Sequence, residues 1–108
     1  MSPTISCNAL VGITTHQTLK IEGHIKKKKV IVLIDSSSTH NFIHCKLAKK
    51  LTFFLYPTPE SHVMVANVGT INCSAKYHNI RLNMGEYVLN SPILSIPMGG
   101  ADVVLGVQ

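Results

Sequence analysis

Residues Lys28 to His44, which read KKVIVLIDSSSTHNFIH, contain the strongest indication of the fold of this chain. Its apolar part, Val30 to Ile34, is continuous and rich in β-branched residues, which is typical of a strand covered on both faces. Asp35 follows directly, and three serines and a threonine follow Asp35. The sequence therefore predicts a central strand that ends, at the edge of the core, on a single carboxylate.

The composition predicts one globular domain that spans residues 1–108. Of these 108 residues, 45% are hydrophobic and 14% are charged, a balance that is typical of folded chains. No apolar run approaches the roughly 20 residues of a membrane helix, and the first residues lack the pattern of a secretory signal. Cys7, Cys45 and Cys73 have no metal-binding spacing, and their odd number favours reduced thiols in the cytoplasm. We therefore expect no membrane partner.

The formal charge of +5 has the sign that nucleic acids attract. Four of the ten basic residues, however, stand in one run, Lys26 to Lys29, between two strand-like segments. No aromatic residue alternates with these lysines to stack on bases. We therefore interpret the run as a solvated turn between strands and expect no direct nucleic-acid partner.

The rest of the pattern is mostly β-structure with one short helix. Apolar residues at helix-like spacings predict that helix in NFIHCKLAKKL, residues 41–51, and the two prolines of YPTPE would end it. Two apolar runs flank a turn predicted at Asn67 to Gly69, and a second turn is predicted at MGEY, residues 84–87. A last buried run, Val103 to Leu105, precedes a glycine.

Asp35 has two interpretations at this stage. An aspartate before serine and threonine commonly accepts hydrogen bonds from nearby backbone N–H groups in a turn. Alternatively the carboxyl performs acid–base chemistry, for which two carboxyls that share a proton are suited. The chain has five acidic residues, and only Asp35 stands in a hydroxyl cluster after a buried strand. A carboxylate pair would therefore need a second copy of the chain, related by a two-fold axis.

Three segments of the chain resemble one protein family. VIVLIDSSSTHNFI, residues 30–43, resembles the active-site segment of the retropepsin-like aspartic proteases encoded by gypsy-type LTR retrotransposons. VMVANVGTINCSAKYHNI, residues 63–80, is similar to the flap region of that family. ADVVLGVQ, residues 101–108, is similar to the segment of two hydrophobic residues and a glycine near its C-terminal end. The segments occur in the family's order, and the resemblance covers residues 10–108.

The resemblance implies an aspartic endopeptidase with the closed β-barrel half of a retropepsin and one short helix. Asp35 would be catalytic and would face its counterpart in a homodimer across a bound water. Ser36 would tie the two active-site loops together, and Ser38 would hydrogen-bond the outer oxygen of the carboxyl. The loop that supports the site would consist of Ser36, Ser37, Ser38 and Thr39. The flap and substrate-binding residues would be Val65, Ala66, Asn67, Val68, Gly69 and Thr70.

The same resemblance implies the partners of the chain. The substrate would be an extended peptide within a Gag-Pol-like polyprotein, bound by backbone hydrogen bonds of the kind that strands make. No cofactor or metal is implied. The location would be the cytoplasm or virus-like particles.

The sequence departs from the family pattern in three places. Ser37 stands where the family has glycine, and we expect it either to strain the loop, by about 1–3 kcal/mol, or to obstruct the peptide. Ala75 stands where relatives commonly have glycine. The resemblance reaches Gln108 before the family's C-terminal helix and interface strand, so we expect these two elements to be absent. An alternative is therefore a catalytically impaired or inactive relic that acts as a dimerisation or peptide-binding module.

Two other kinds of site are weaker hypotheses. His40 and His44 are four residues apart and could share a zinc ion with Cys45 or Cys73, but helical geometry at His40 is doubtful. A serine nucleophile in DSSSTH, residues 35–40, would need a histidine base and an orienting acid, and such triads are assembled from distant segments.

Overall fold

The computed structural model describes residues 3–15, 18–51, 61–66, 68–73 and 75–106, and within them the chain forms nine strands and two short helices. The strands are β1 (Thr4–Ile5), β2 (Thr18–Ile25), β3 (Lys28–Asp35), β4 (Phe42–His44), β5 (Ser61–Val65), β6 (Gly69–Cys73), β7 (Ala75–Met84), β8 (Tyr87–Ile96) and β9 (Val103–Leu105). The helices are α1 (Cys7–Val11) and α2 (Cys45–Lys50). No helix in these ranges has both the length and the apolar character to cross a bilayer.

Six strands close into a barrel in the order β2–β3–β9–β4–β8–β7. Strand β3 pairs with β2 in antiparallel and with β9 in parallel orientation, so it has a neighbour on each side. Val30, Val32 and Leu33 are buried, as predicted for a strand covered on both faces, whereas Ile34 is 37% exposed. The prediction of a mostly β closed barrel is confirmed.

The remaining strands form a small sheet in the order β1–β5–β6. Strand β1 runs parallel to β5, and β5 and β6 form an antiparallel hairpin in which Val65 pairs with Gly69. The predicted turn lies between these two residues, as expected, although Asn67 lies outside the described residues. The turn predicted at residues 84–87 is also confirmed, because Met84 pairs with Tyr87 across it.

Two apolar clusters hold the barrel and the small sheet together. The first contains residues from all six barrel strands and from α2, so it fills the barrel interior. The second contains residues of β1, α1 and β5 together with barrel residues, so it joins the small sheet to the barrel wall. Because successive residues of a strand point to opposite faces, β3 contributes Val32 to the first cluster and Leu33 to the second.

The helix predicted in residues 41–51 is shorter than expected. Phe42 to His44 are strand β4, which pairs with β8 and β9, and the helix begins only at Cys45. Phe42 packs in the second apolar cluster and Ile43 in the first. A helix cannot send adjacent residues into cores on opposite sides as a strand does, and therefore tertiary packing overrides the helix-like spacing.

The second helix, α1, was not predicted. The Ser6 side chain caps its N-terminus by accepting a hydrogen bond from the Ala9 N–H, and Gly12 ends it with a left-handed φ of 77°. A serine cap and a C-terminal glycine are recognisable helix boundaries. The helix has only five residues, which is too short for an apolar periodicity to develop.

The predicted basic turn is a two-residue connection between β2 and β3, formed by Lys26 and Lys27, while Lys28 and Lys29 already belong to β3. Lys26 and Lys27 have left-handed φ values of 49° and 69°. Positive φ at both central residues is the property of the type I′ turn, for which Asn-Gly is favoured. The turn thus carries local backbone strain, while the Lys26 ammonium donates a hydrogen bond to the Leu51 carbonyl over 3.3 Å.

We expect the double substitution Lys26→Asn with Lys27→Gly to stabilise the protein by about 1 kcal/mol, because both new residues tolerate positive φ. The melting temperature should rise by roughly 4–8 °C. The substitution Lys26→Gln with Lys27→Gln removes the same charge but keeps side chains that disfavour positive φ. An equal rise in that control would show that charge, and not conformation, limits stability here.

Candidate active site

Asp35 is the last residue of β3, and its side chain is buried, with 1% of the residue exposed. Backbone pairing fixes its position, because Thr18 of β2 pairs with Asp35 and Leu105 of β9 pairs with the preceding Ile34. The strand pairing therefore fixes the backbone from which the carboxyl projects.

Three hydrogen bonds hold the carboxyl of Asp35. The Ser38 hydroxyl donates to Oδ2 over 2.6 Å, and the Ser6 hydroxyl donates to the same oxygen over 2.7 Å. The Ser37 N–H donates to Oδ1 over 3.1 Å. The Ser38 N–H also closes a turn onto the Asp35 carbonyl, over 3.2 Å. Asp35 therefore has the turn role that was one of its two interpretations, and this role does not conflict with acid–base chemistry.

The other predicted loop residues surround the carboxyl in different ways. Ser36 and Ser37 are exposed, whereas Ser38 is buried. Thr39 binds the N-terminal segment: its hydroxyl accepts from the Thr4 N–H over 2.8 Å, and its N–H donates to the Thr4 carbonyl over 2.9 Å. The loop is thus fixed to β1 by two hydrogen bonds.

The strain expected at Ser37 is not present as left-handed backbone. The non-glycine residues with positive φ in the described part of the chain are Lys26 and Lys27, so Ser37 does not adopt the conformation for which glycine would be required. The obstruction of a peptide by its side chain, the other expectation, concerns the space outside the chain and stays a prediction.

Ser6 is the residue of this site that the sequence interpretation missed. It is 29 positions away from Asp35, yet its hydroxyl lies at hydrogen-bond distance from the carboxyl. The sequence contained a usable signal for its capping role, namely a serine before a short segment that ends at Gly12. No local pattern, however, indicates which distant side chain a capping serine will contact.

Gly106, the residue that follows β9, packs against the segment from Ser38 to Asn41. Gly106 donates its N–H to the side-chain oxygen of Asn41 over 3.0 Å. A Cβ at this position would lie 2.5 Å from the carbonyl oxygens of Ser38 and His40. The approach of the two backbone segments therefore requires glycine, for a reason of space and not of φ.

The described residues of the predicted flap lie at the turn end of the β5–β6 hairpin. Val65, the last residue of β5 before the turn, is buried, and Val68 is 71% exposed. Gly69 and Thr70 begin β6 and are exposed, and Asn67 is outside the described residues. Ala66 donates its N–H to the Ile5 carbonyl over 3.0 Å. Strand β1 thus connects the hairpin to the loop of Asp35, although the hydrogen bonds of Asp35 come from Ser6, Ser37 and Ser38.

A groove of about 460 Å³ opens beside Ile34 and is lined by Leu19, Ile21, Ile34, Met84, Tyr87, Val88 and Leu89. These seven side chains carry no charge. Because Ile34 and Asp35 are consecutive in a strand, their side chains point to opposite faces. The groove is therefore separated from the carboxyl by the β3 backbone and is not part of the site.

The two histidines of the zinc hypothesis have other contacts. The His40 Nδ1 lies 2.8 Å from the Thr39 hydroxyl oxygen, and the His44 Nδ1 accepts from the Lys46 N–H over 3.2 Å. Burial lowers the pKa of His40, and the positive charge of Lys76 lowers it further. The described residues contain no group of three or more side chains arranged to hold a metal ion.

The serine-nucleophile hypothesis also lacks its geometry at Ser38. The hydroxyl of Ser38 donates to Asp35, so its proton is directed at the carboxyl and not at a histidine base. A nucleophilic serine needs the opposite arrangement, in which a base accepts that proton.

Comparison with known proteins identifies a similar fold. Neither a protein-family model nor a curated protein sequence matches the chain. Among solved structures, the chain is similar to the retroviral protease-like domain of Ddi1 from Leishmania major, with a TM-score of 0.67. The match covers 86% of this chain and 74% of that chain, at 14% sequence identity. The predicted retropepsin-like barrel is therefore confirmed as a fold, whereas the roles of the individual residues stay predictions.

Proposed function

We propose that this chain is the aspartic endopeptidase domain of a gypsy-type retrotransposon and cleaves peptide bonds of its own polyprotein as a homodimer. The observation that carries this proposal is the carboxyl of Asp35. It lies at the end of a wall strand in a retropepsin-like barrel, with two hydroxyl donors on one oxygen and one backbone donor on the other. This arrangement orients one oxygen firmly and leaves the other with acceptor capacity for chemistry.

In the proposed reaction, two Asp35 carboxyls from two chains share one proton across the symmetry axis. Two carboxyls in hydrogen-bond contact do not both ionise, because their negative charges repel each other. The ionised carboxylate removes a proton from a water that attacks the scissile carbonyl. The protonated carboxyl donates a hydrogen bond to the carbonyl oxygen, and a proton then passes to the leaving amine. Ser36 would bind the partner chain's loop, and residues 65–70 would close over the extended peptide.

The burial of Asp35 adds one requirement to this proposal. Within a single chain the residue is 1% exposed, so neither water nor a second carboxyl can reach it without movement of the atoms that cover it. Ser36 and Ser37 are exposed and follow Asp35 directly in the chain, so we propose that a shift of this segment on association uncovers Oδ1. Association and activation are thus one event in this proposal.

The location that we propose is a reducing one, the cytoplasm or virus-like particles within it. Cys7, Cys45 and Cys73 are all free, which is the state that such a compartment maintains. The proposed reaction requires no cofactor.

The test is a cleavage assay on an unfolded polypeptide with the purified chain, over about pH 4–7, the range in which a carboxyl pair can share a proton. We expect cleavage that pepstatin inhibits, and we expect sedimentation to show a dimer at the concentrations where cleavage occurs. Cleavage that is first order in a monomeric chain would contradict the homodimer. Absence of cleavage, also after Ser37→Gly and after extension of the chain past Gln108, would contradict the enzyme.

A non-catalytic dimerisation or peptide-binding module is the second candidate. Two observations favour it: Ser37 replaces the glycine of the family motif, and Asp35 is covered in the single chain. Isothermal titration with an extended apolar peptide separates the candidates, because the module would bind the peptide and leave it intact.

We expect Ser37→Gly to raise kcat/KM about tenfold, the effect of relieving roughly 1.4 kcal/mol of obstruction in the transition state. Stability should fall by about 0.5–1 kcal/mol, because glycine loses more backbone entropy on folding. Ser37→Ala is the matched control, since it removes the hydroxyl but keeps the Cβ. If Ser37→Ala raises kcat/KM as much as Ser37→Gly does, the hydroxyl and not the Cβ is the obstacle.

A further inference from the structure

We propose that Ser6 is a positioning residue for Asp35, which fills the second acceptor site of Oδ2 and thereby confines any proton on the carboxyl to Oδ1. The inference rests on the proposed function, because it concerns the same carboxyl. It adds a residue from the N-terminal segment that the family resemblance did not supply.

Both acceptor sites of the Asp35 Oδ2 atom face hydrogen-bond donors. A carboxylate oxygen has two lone-pair sites in the plane of the group. On Oδ2 these face two hydroxyl donors, Ser38 at 2.6 Å and Ser6 at 2.7 Å. With both hydroxyl protons in place, Oδ2 has no site left for a proton of its own.

Each of the two hydroxyls also contacts a backbone N–H, which bears on where its proton points. The Ser6 oxygen accepts from the Ala9 N–H over 3.1 Å, and the Ser38 oxygen accepts from the Ser6 N–H over 3.2 Å. A backbone N–H can only donate, so each hydroxyl uses one of its two oxygen lone pairs there and has its single proton available for Oδ2. If either serine accepted a proton from Oδ2 instead, its own hydroxyl proton would lose the carboxylate as its acceptor.

The other carboxyl oxygen, Oδ1, accepts one hydrogen bond where Oδ2 accepts two. Oδ1 accepts from the Ser37 N–H over 3.1 Å, so it retains one lone-pair site. A proton on Oδ1 leaves both hydroxyl bonds to Oδ2 in place, whereas a proton on Oδ2 would displace one of them. In a pair of carboxyls that share one proton, Ser6 and Ser38 together would keep that proton on Oδ1, the oxygen that association must uncover, and away from the oxygen that the two hydroxyls hold.

Ser6 is held firmly enough for this role. Thr4 is bound to Thr39 by two backbone-involving hydrogen bonds, of 2.8 and 2.9 Å. Ile5 is fully buried and pairs with Val65 next to the turn of the β5–β6 hairpin. Ser6 follows directly and begins α1 as its N-cap. The hydroxyl is therefore anchored on one side by the active-site loop and on the other by the hairpin.

The test compares two variants without the hydroxyl, Ser6→Ala and Ser6→Gly, with two controls. Glycine keeps more of the capping preference than alanine does, so it guards against simple loss of α1. Ser6→Thr keeps the hydroxyl. Asn8→Gly, at an exposed position of α1, weakens the helix but touches neither serine. All are made in the full chain of 108 residues.

We expect Ser6→Ala and Ser6→Gly to lower kcat about tenfold with KM unchanged, the pattern of an interaction that matters to the chemical step. Ser6→Thr and Asn8→Gly should stay within about twofold of the wild type, since both keep the hydroxyl on Oδ2. A readout that needs no activity is the ¹³Cγ signal of Asp35 by NMR at fixed pH. It should move in both variants that lack the hydroxyl and stay in place in Asn8→Gly.

The outcomes separate this inference from the proposed function. Wild-type cleavage with an unchanged kcat in Ser6→Ala overturns the role of Ser6 and leaves the protease standing. A lower kcat with an unmoved Asp35 signal also overturns it, because the effect would not pass through the carboxyl. If the wild type does not cleave but the signal moves, the protease fails and the positioning of Asp35 by Ser6 is supported. An unmoved signal in a chain that does not cleave overturns both.

Discussion

Asp35→Asn is expected to lower the rate of peptide cleavage at least about a thousandfold, because an amide can neither take a proton from water nor share one with a partner carboxyl. The substitution conserves volume, and an amide oxygen can still accept the hydroxyls of Ser38 and Ser6 at the Oδ2 position. The new NH₂ group then occupies the Oδ1 position and faces the Ser37 N–H, which donates there over 3.1 Å. Two opposed donors should reduce the free energy of unfolding by about 1–3 kcal/mol.

Cleavage kinetics and thermal melting together check this prediction. Asp102→Asn is the matched control, because Asp102 also lies beside a barrel strand and accepts a backbone N–H, that of Ile31, over 2.8 Å. It removes the same charge and should leave cleavage within about threefold of the wild type, since an amide oxygen can accept the same bond. Retained cleavage by folded Asp35→Asn would exclude aspartic catalysis at this residue.

Gly106→Ala is expected to have the largest effect on stability, a loss of about 3 kcal/mol, at the upper end of the range for overpacked sites. The new Cβ would lie 2.5 Å from the carbonyl oxygens of Ser38 and His40 and 2.8 Å from the Ser38 carbonyl carbon. All three atoms are backbone, so no side chain can rotate away. Either β9 moves out of the barrel wall or the loop that holds Asp35 moves outward.

The melting temperature of Gly106→Ala should fall by roughly 10 °C or more, and cleavage should fall with it even where the chain remains folded. Gly99→Ala is the control of the same chemistry at an open position, because the nearest atoms to its Cβ are backbone atoms of Val11 at 4.0 Å. It should melt near the wild-type temperature. Equal melting of the two variants would mean that the loop and β9 do not approach as closely as the structure has them.

The relation between sequence and structure differs from one element to the next. Strand β3 and the turns at Lys26–Lys27 and at residues 84–87 were predictable, because a continuous apolar run and turn residues are local signals. The segment from Phe42 to His44 was not, because its spacing fits a helix as well as a strand. Its strand conformation depends on the two apolar clusters on opposite sides of it and on pairing with β8 and β9, which are distant in sequence.

The residues of the candidate site also differ in whether a local sequence signal identifies them. Asp35 and Ser38 could be identified from their position after a buried strand and from the family resemblance. Ser6 and Gly106 could not, because each acts on the loop from a segment that is distant in sequence. The expected strain at Ser37 was not found, since the loop adopts a conformation there that does not need glycine.

The order of the residues was enough to predict a buried strand that ends on one carboxylate among hydroxyl residues, because hydrophobicity and hydrogen-bonding capacity belong to the residues themselves. Which hydroxyls reach that carboxylate, and which glycine lets two backbone segments approach, depends on the three-dimensional packing. The physical reason is that hydrogen bonds and steric contacts act over about 3 Å, and closure of the barrel and docking of the N-terminal segment bring residues this far apart in sequence to that distance.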